Sequence, residues 1–270
     1  MTDMEFYNRR RRLDNEAARD TPIYETYHLN AAIDWYDAVY MRRIFEINSS
    51  DIGHEMASRA AKEYVCAERI PLPAAEEPTT TLADALRMRR SSPRFFGGGL
   101  TLGELSAVLK FGNGLTGGKR PDGLPRRAIP SGGALYPSEL YVLPLDVGGL
   151  EQGAYHYDVF THELARFHQQ PAEALLASAC FNEIAVMSAG AALVITACFE
   201  RQQIKYKERA YRFAVLEIGH LAQNILLTAA ALGLAALPIG GFVDREINGY
   251  LAIDGLSEAA FYVILIGRPL

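Results

Sequence analysis

Two arginines and a serine at alternating positions could together bind an anion. Arg90, Ser92 and Arg94 surround Pro93, which drives the residue before it out of helical geometry and toward an extended backbone. In an extended segment, residues two apart point the same way, so these three side chains would face one spot. Guanidinium groups bind phosphate through paired, charge-assisted hydrogen bonds. The spacing predicts a phosphate-binding cradle, with a solvent-exposed basic turn as the alternative.

Two glycine-rich turns could bring backbone N–H groups close to a ligand. They are Pro130-Ser131-Gly132-Gly133 and Pro238-Ile239-Gly240-Gly241. Paired glycines let the backbone approach a ligand closely, and consecutive N–H groups can bind an anion or the polar edge of a planar ring. The alternative for each is an ordinary tight turn.

One polar stripe runs along an otherwise apolar helix pattern that spans residues 213–232. The stripe consists of Glu217, His220, Asn224 and Thr228. A buried polar group without a partner costs roughly 1–3 kcal/mol. The stripe should therefore face a bound ligand, another polar network, or a second copy of the helix across a twofold axis.

The elements that position these residues mix α and β patterns. Runs of branched and aromatic residues predict strands over 140–145, 154–157, 191–199 and 261–267. Capping-box patterns at Thr81 and Thr101 predict the starts of two short helices. Strands and helices do not alternate strictly, so we expect an α+β fold with helices covering a mixed sheet.

The density of the pattern changes after a proline-rich connector that ends at residue 78. Residues 1–78 are polar and lean toward helix, whereas residues 79–270 carry the predicted strands and the candidate ligand-binding motifs. We therefore expect a helical N-terminal extension over 1–78, followed by the main domain over 79–270.

Composition excludes several classes of function. The 270 residues include 27 basic and 32 acidic side chains, a net charge of −5 that argues against non-specific nucleic-acid binding. The longest apolar run is broken at Thr228, Gly233 and Pro238 and falls short of the roughly 20 residues of a membrane span. We expect a cytoplasmic protein with no nucleic-acid or membrane partner.

Two further patterns bear on a dinucleotide site and a metal site, and neither indicates one. Residues 112–117 spell G-x-G-x-x-G, but a helix pattern precedes them, the reverse of the context of a dinucleotide site. The histidines show no i, i+4 pairing and the cysteines no C-x-x-C spacing, so we expect no metal.

Together, these stretches resemble the nitroreductase-like FMN enzymes. The matching motifs are Arg90-x-Ser92-x-Arg94-x-Phe96, residues 130–137, residues 237–242 and Gly267-Arg268-Pro269. Residues 205–212, followed by Glu217, Gly219, His220, Gln223 and Asn224, resemble one branch more closely, the SagB-type thiazole/oxazole peptide dehydrogenases. The resemblance implies a three-layer α-β-α fold around a central mixed, mainly antiparallel sheet, with FMN bound by a homodimer over residues 79–270.

The resemblance implies binding roles at the phosphate end of FMN. Arg90, Ser92 and Arg94 would contact the phosphate and the ribityl chain, and Arg268 would return from the last strand to the same charge. Gln223 is a further expected contact of the cofactor.

It implies other roles at the ring. Pro130-Ser131-Gly132-Gly133 would bond the polar chain or the ring edge. Pro238-Ile239-Gly240-Gly241 would pack against the isoalloxazine face and direct backbone N–H groups toward N5, where a donor stabilises the charge that develops on reduction.

The implied chemistry needs a base, and the resemblance places it at Lys205 and Tyr206. Their ordinary pKa values lie near about 10, but desolvation lowers the pKa of a lysine and a nearby cation lowers that of a tyrosine. Either residue could then accept the proton. The alternative is that Lys205 coats a solvated helix face.

The implied function is oxidation of thiazoline and oxazoline rings in a ribosomally made precursor peptide to thiazole and oxazole. The peptide would be the substrate and a cyclodehydratase complex a partner. The alternative enzyme is an NAD(P)H-dependent nitro or quinone reductase that uses the same FMN. An alternative from another class is a scaffold subunit of a peptide-modifying complex.

Overall fold

A seven-stranded sheet forms the centre of the computed structural model, which describes residues 23–33, 38–51, 53, 55, 61–119 and 123–270. The strands are β1 (Glu68–Pro71), β2 (Leu115–Lys119), β3 (Pro125–Arg127), β4 (Ser138–Pro144), β5 (Ala154–Asp158), β6 (Glu163–His168), β7 (Ala191–Cys198), β8 (Ala235–Ile239) and β9 (Glu258–Gly267). The order in the sheet is β1-β6-β5-β4-β7-β9-β8, while β2 and β3 form a separate pair. Neighbouring strands of the large sheet pair antiparallel throughout the described residues.

Helices cover both faces of this sheet. The helices of the described residues are α1 (Ile23–Asn30), α2 (Ala38–Asn48), α3 (Leu82–Met88), α4 (Leu102–Asn113), α5 (Glu173–Ala179), α6 (Glu183–Ser188), α7 (Glu200–Tyr206), α8 (Arg209–Ala231) and α9 (Asp244–Tyr250). One core cluster joins α4 and α8 to the sheet, and the other joins α5, α6 and α9 to its opposite face. This arrangement confirms the expected three-layer α-β-α fold.

The middle of the sheet explains why its strands were readable in the sequence. Every residue of β4 and of β5 is buried, as are seven of the eight residues of β7. Strands covered on both faces read as continuous apolar runs. The expected strands are confirmed as β4, β5, β7 and β9. Parallel pairing occurs as isolated bridges, Ser91 to Ala236 and Leu100 to Val147.

The N-terminal boundary differs from the expected one at residue 78. The chain divides into the units Met1–Ala38 and Val39–Leu270. In the first unit, α1 has no buried residue. In the second, β1 pairs with β6 from Glu68 to Pro71, so a segment expected in the extension forms an edge of the main sheet.

Helix ends follow the expected capping chemistry. Thr81 accepts a hydrogen bond from the Asp84 N–H, and Thr101 with Glu104 forms a complete capping box. Among the described residues, α8 has the length and apolar composition of a membrane-crossing helix, but 56% of its most apolar window is buried inside the fold.

Candidate functional site

Lys205 and Tyr206 meet the first glycine turn. Both lie at the end of α7, and Gly133 has a left-handed backbone with φ of 68°. A Cβ atom built on Gly133 would lie 2.7 Å from Tyr206 Oη and 2.8 Å from Lys205 Nζ. Only glycine therefore leaves room for both groups. The structure brings the two expected catalytic residues and the expected ring-edge turn to one place.

Neighbouring side chains hold this pair. The Tyr206 ring packs edge-on against Phe213 at 4.9 Å between centroids, and Lys205 Nζ lies 5.1 Å from the Tyr206 ring. Gln202 is buried and donates from Nε2 to Gly132 O at 3.2 Å. Lys205 is 6% exposed, so it does not coat a solvated helix face.

A buried ion pair fixes α7 against the sheet. Arg201, four residues before Lys205, forms a salt bridge with Glu139 and donates to Tyr136 O at 2.8 Å. His156 contacts the other oxygen of Glu139 at 2.7 Å. Burial would raise the pKa of Glu139, but Arg201 and His156 outweigh that effect and lower it to about 2. The ionised carboxylate ties the helix that carries Lys205 to β4 and β5.

The protonation of Tyr206 departs from one sequence-based expectation. Burial raises the pKa of Tyr206, and the neighbouring Tyr40 adds to the rise. The expected lowering by a nearby cation does not prevail, because desolvation of the phenolate is the larger effect. Tyr206 therefore keeps its proton at neutral pH and can donate a hydrogen bond.

A cavity of about 280 Å³ opens beside the first glycine turn. Its lining comes from the turn and from α8: Pro130, Ser131, Gly132, Phe213, Leu216, Glu217 and His220. A larger groove of about 710 Å³ is lined by other residues of α7, and neither Lys205 nor Tyr206 lines it. Lys205 and Tyr206 do not line the smaller cavity either, but Ser131 and Gly132 of the turn that they meet do, and this links the smaller cavity to the candidate site.

Glu217 is a buried acid in the lining of this smaller cavity. Its Oε1 accepts hydrogen bonds from Ser138 N at 3.2 Å and from Ser138 Oγ at 2.5 Å. Its Oε2 has no hydrogen-bond partner among the described residues. Burial raises the pKa of Glu217, against the opposing effects of Ser131, Ser138 and Arg127. The polar stripe of α8 thus places a carboxyl group with an unused oxygen beside the turn.

Residues 90–96, which we call the basic segment, lie against β8. Ser92 N donates to Ala236 O at 3.0 Å, and Ser92 Oγ donates to Arg94 O at 2.7 Å across a bend at Pro93. The bend replaces the fully extended path that the spacing predicted. Arg90 and Arg94 are exposed, and neither guanidinium has a polar partner within the part of the chain that the structure describes. Two cations are therefore available to an anion.

Arg268 differs from the expectation that it joins these two cations. Its guanidinium forms a two-pronged salt bridge with Glu104, at 2.6 and 2.9 Å, and donates to Gly99 O at 3.2 Å. Its backbone carbonyl does meet the basic segment, accepting from Phe96 N at 3.0 Å. The Arg268 guanidinium pairs with Glu104 because the capping box of α4 fixes that carboxylate within reach of the end of β9.

The second glycine turn is divided between a strand and a loop. Pro238 and Ile239 end the edge strand β8 and pair with β9, whereas Gly240 and Gly241 follow the strand and are exposed. Pro238 is tolerated because β8 is an edge strand that pairs with β9, and the isolated bridge on its other side involves Ala236 rather than Pro238.

The remaining polar residues of α8 separate in role. Asn224 donates to Gly112 O at 3.4 Å and to Ala128 O at 3.2 Å, so it joins α4 to the segment before the first turn. Gln223, an expected cofactor contact, is exposed, and His220 is exposed at the cavity. Part of the stripe is therefore structural.

The expected binding residues thus form two groups. The loop group contains Lys205, Tyr206 and the turn at 130–133; the edge group contains Arg90, Ser92, Arg94 and the end of β8 at 238–241. No hydrogen bond, ion pair or ring contact between described residues joins the two groups.

The chemistry of both groups fits a molecule with an anionic tail and a polar planar head. The edge group offers two unpaired guanidinium groups for a phosphate. The loop group offers glycine backbone, and beside it lie two buried oxygens without hydrogen-bond partners among the described residues, Glu217 Oε2 and Gln202 Oε1. Among the residues described, no cluster of three or more His, Cys, Asp or Glu side chains is arranged around a metal position.

Sequence reasoning missed the residues that support the pair. Arg201 lies one helical turn from Lys205, a spacing that places both on one face and was the available signal. Glu139 is a charged residue in a buried strand, which marks a paired group, but its partners come from distant segments. No feature of the sequence indicated that Gln202 would contact the turn.

Similar proteins include a nitroreductase and two peptide-processing proteins. The Methanocaldococcus jannaschii protein MJ1384, named as a nitroreductase, is 36% identical over 201 residues, which cover 74% of this chain and 96% of that protein. The trifolitoxin-processing protein TfxB of Rhizobium leguminosarum bv. trifolii is 33% identical over 53% of this chain and 40% of TfxB. The microcin B17-processing protein McbC of Escherichia coli is 31% identical over 54% of this chain and 56% of McbC.

Solved structures agree on the fold. A nitroreductase structure from Anabaena variabilis has a TM-score of 0.63 at 28% identity, covering 76% of this chain and 42% of that one. The E. coli microcin synthetase McbBCD complex with truncated pro-MccB17 has a TM-score of 0.56 at 22% identity and covers 92% of both chains. The Nitroreductase family model matches residues 86–268, a span that includes both groups of site residues, and so this chain belongs to the Nitroreductase family.

Proposed function

We propose that this protein is an FMN-dependent dehydrogenase that oxidises azoline rings of a ribosomally made peptide to azoles. Family membership supports an oxidoreductase, and similarity to TfxB and McbC supports a peptide substrate. The observation that carries the proposal is the meeting of Lys205 and Tyr206 at Gly133, because a reductase that only shuttles electrons needs no such pair.

Oxidation of an azoline removes a proton from one ring carbon and a hydride from its neighbour. Lys205 is the proposed base, since it is 6% exposed and its amine lies at the Gly133 turn beside Tyr206. Tyr206, whose pKa is raised, keeps its proton and orients the ring through a hydrogen bond. The two residues thus divide the roles that the sequence left open between them.

The proposed cofactor is FMN. When bound, FMN supplies the acceptor for the hydride. Arg90 and Arg94 would bind its phosphate, the turn at 130–133 would contact its polar chain or ring edge, and Gly240 and Gly241 would present backbone N–H groups. Arg268 would act on this site through Glu104 and the backbone of the basic segment rather than as a third phosphate ligand.

A cytoplasmic homodimer is the proposed working unit, because it would set the edge group of one subunit against the loop group of the other. A cyclodehydratase complex is the proposed partner. Support comes from the name of McbC and from the fold shared with the McbBCD synthetase complex.

The test measures FMN retention and peptide oxidation separately. Lys205→Ala and Tyr206→Phe should retain bound FMN by absorbance, while loss of two hydrogens from a thiazoline peptide, followed by mass spectrometry, slows by about 10²–10⁴-fold for Lys205→Ala. Lys207→Ala, an exposed change at the same helix end, is the matched control. Oxidation by Lys205→Ala at the parental rate would show that the base is another group.

A nitro or quinone reductase driven by NAD(P)H is the second candidate. It is favoured by MJ1384, whose length this chain covers to 96%. Reduction of a small quinone should then proceed at parental rates in Lys205→Ala, because that reaction requires no substrate base. Rapid NAD(P)H turnover without azoline oxidation by the parent would favour this candidate.

A further inference from the structure

The two oxygens of the Glu217 carboxyl group have different surroundings. Oε1 accepts from both the N–H and the hydroxyl of Ser138, whereas Oε2 is buried without a hydrogen-bond partner among the described residues. A carboxylate oxygen left in this state carries a large desolvation cost. A neutral acid avoids that cost. Because the two donors occupy Oε1, the proton of such an acid lies on Oε2.

We propose that Glu217 is held as a neutral carboxylic acid and that its Oε2–H group is a hydrogen-bond donor of the flavin site, taking an acceptor atom of the ring edge or ribityl chain. The inference rests on the proposed function, which supplies the flavin. It is carried by the position of Glu217 in the lining of the 280 Å³ cavity next to Ser131 and Gly132. Ionisation would replace this donor by a negative charge facing the ligand's acceptor atoms.

The groups around Glu217 act in known directions. Burial raises the pKa of Glu217, while Ser131, Ser138 and the cation of Arg127 lower it. His220 on α8 lines the same cavity, and Lys205 on α7 reaches Gly133 from the other side of the turn. Burial prevails over the opposing effects of Ser131, Ser138 and Arg127, so the pKa of Glu217 lies above that of an ordinary glutamate.

The consequence is a flavin affinity that falls as the pH rises. The probe is riboflavin, which lacks the titratable phosphate group of FMN. Its binding is followed by quenching of flavin fluorescence. The dissociation constant of the parent should increase about two- to tenfold between mildly acidic and alkaline pH, the change expected for loss of one hydrogen bond. Glu217→Gln keeps an N–H donor at every pH, so its affinity should stay constant.

Two variants identify the titrating group. Ser138→Ala removes a donor that favours the ionised form, so the transition should move to higher pH. His220→Gln should leave the transition of the parent in place. A Glu217→Gln profile that matches the parent, or a transition abolished by His220→Gln, would overturn the proposal.

Stability without flavin is measured in parallel. A raised pKa means that the stabilising effect of the proton is complete below the ordinary carboxyl range and is lost as the pH rises through the raised value. The parent should therefore lose stability with rising pH relative to Glu217→Gln in urea unfolding.

If neither FMN nor riboflavin binds, the proposed function fails. If flavin binds and the parent and Glu217→Gln respond alike to pH in both measurements, only the present inference fails.

Discussion

Gly133 shows how a residue without a side chain can make room for two polar side chains. Its positive φ turns the backbone, and the space where a Cβ would lie is used by the ends of Lys205 and Tyr206. An amine and a phenol are thereby held against a backbone rather than in open solvent. The sequence predicted the turn and, through resemblance, the pair, but their contact depends on folding that joins distant segments.

Gly133→Ala should slow peptide oxidation. The added methyl group meets Lys205 Nζ and Tyr206 Oη at under 3 Å on a backbone that disfavours alanine, so we expect peptide oxidation to fall by at least about 10²-fold. Mass spectrometry of the peptide product measures this. Gly249→Ala is the matched control, because nothing lies within 4 Å of its Cβ position. Equal rates in both variants would contradict the assignment of the site.

Arg268 marks the limit of residue-level prediction. The capping box at Thr101 predicted Glu104 at the start of α4 correctly. That the same carboxylate also pairs with Arg268, 164 residues away, follows only from the end of β9 lying beside that helix. A local motif identifies one partner of a charged residue, whereas the fold supplies the second.

At the scale of elements, α7 is positioned by charge. This short helix ends at Tyr206, and its capping residue Phe199 gives no side-chain cap. The ion pair of Arg201 with Glu139 fastens it to β4 instead, while Gln202 holds Gly132. The buried Arg201–Glu139 ion pair thus fixes the position of Lys205 and Tyr206 relative to the turn.

Glu139→Gln should weaken the fold at neutral pH. Because the pKa of Glu139 is lowered to about 2, its stabilising effect is present above the ordinary carboxyl range and is lost as the pH falls toward that value. Loss of the charge leaves Arg201 without its carboxylate partner, a cost of about 3 kcal/mol. Urea unfolding should show this difference at neutral pH and its disappearance in acid. Glu46→Gln, a change at an exposed glutamate, should neither lower the stability at neutral pH nor change how stability depends on pH.

The strands that the sequence predicted are those that are largely buried on both faces. β4, β5, β7 and β9 have apolar runs that only a covered strand requires. β6 and β8 were not predicted: β6 carries Glu163, Arg166 and His168, and β8 contains Pro238 at the sheet edge. Such strands are specified by their neighbours rather than by their own pattern.

At the scale of the whole molecule, one chain carries both groups of expected binding residues, and no contact between described residues joins them. The unpaired Arg90 and Arg94 lie beside β8, and Lys205 and Tyr206 lie at the end of α7. Exposed apolar residues on α8, including Val215 and Leu216, give this face the character of a subunit contact. A twofold axis is the simplest symmetry that would place the edge group of each subunit against the loop group of the other.

Mixing two inactive variants tests this arrangement. In a heterodimer of Arg94→Ala with Lys205→Ala, one site carries both changes and the other carries neither. Random pairing at equal amounts should therefore restore about a quarter of the parental sites. Azoline oxidation by the mixture measures the recovery. No gain over the separate variants would place both groups within one subunit.

The first strand of the sheet determines how far the protein can be shortened. β1 covers one edge of β6, and the Lys62 N–H donates to Glu139 Oε1 at 2.7 Å, although both lie before the family match begins at residue 86. A truncated protein of residues 79–270 would expose the edge of β6, a template for aggregation. Light scattering should show aggregates for this truncation and a uniform species for one that starts at residue 61. The smallest soluble fragment of this enzyme is therefore expected to be longer than its recognisable family sequence.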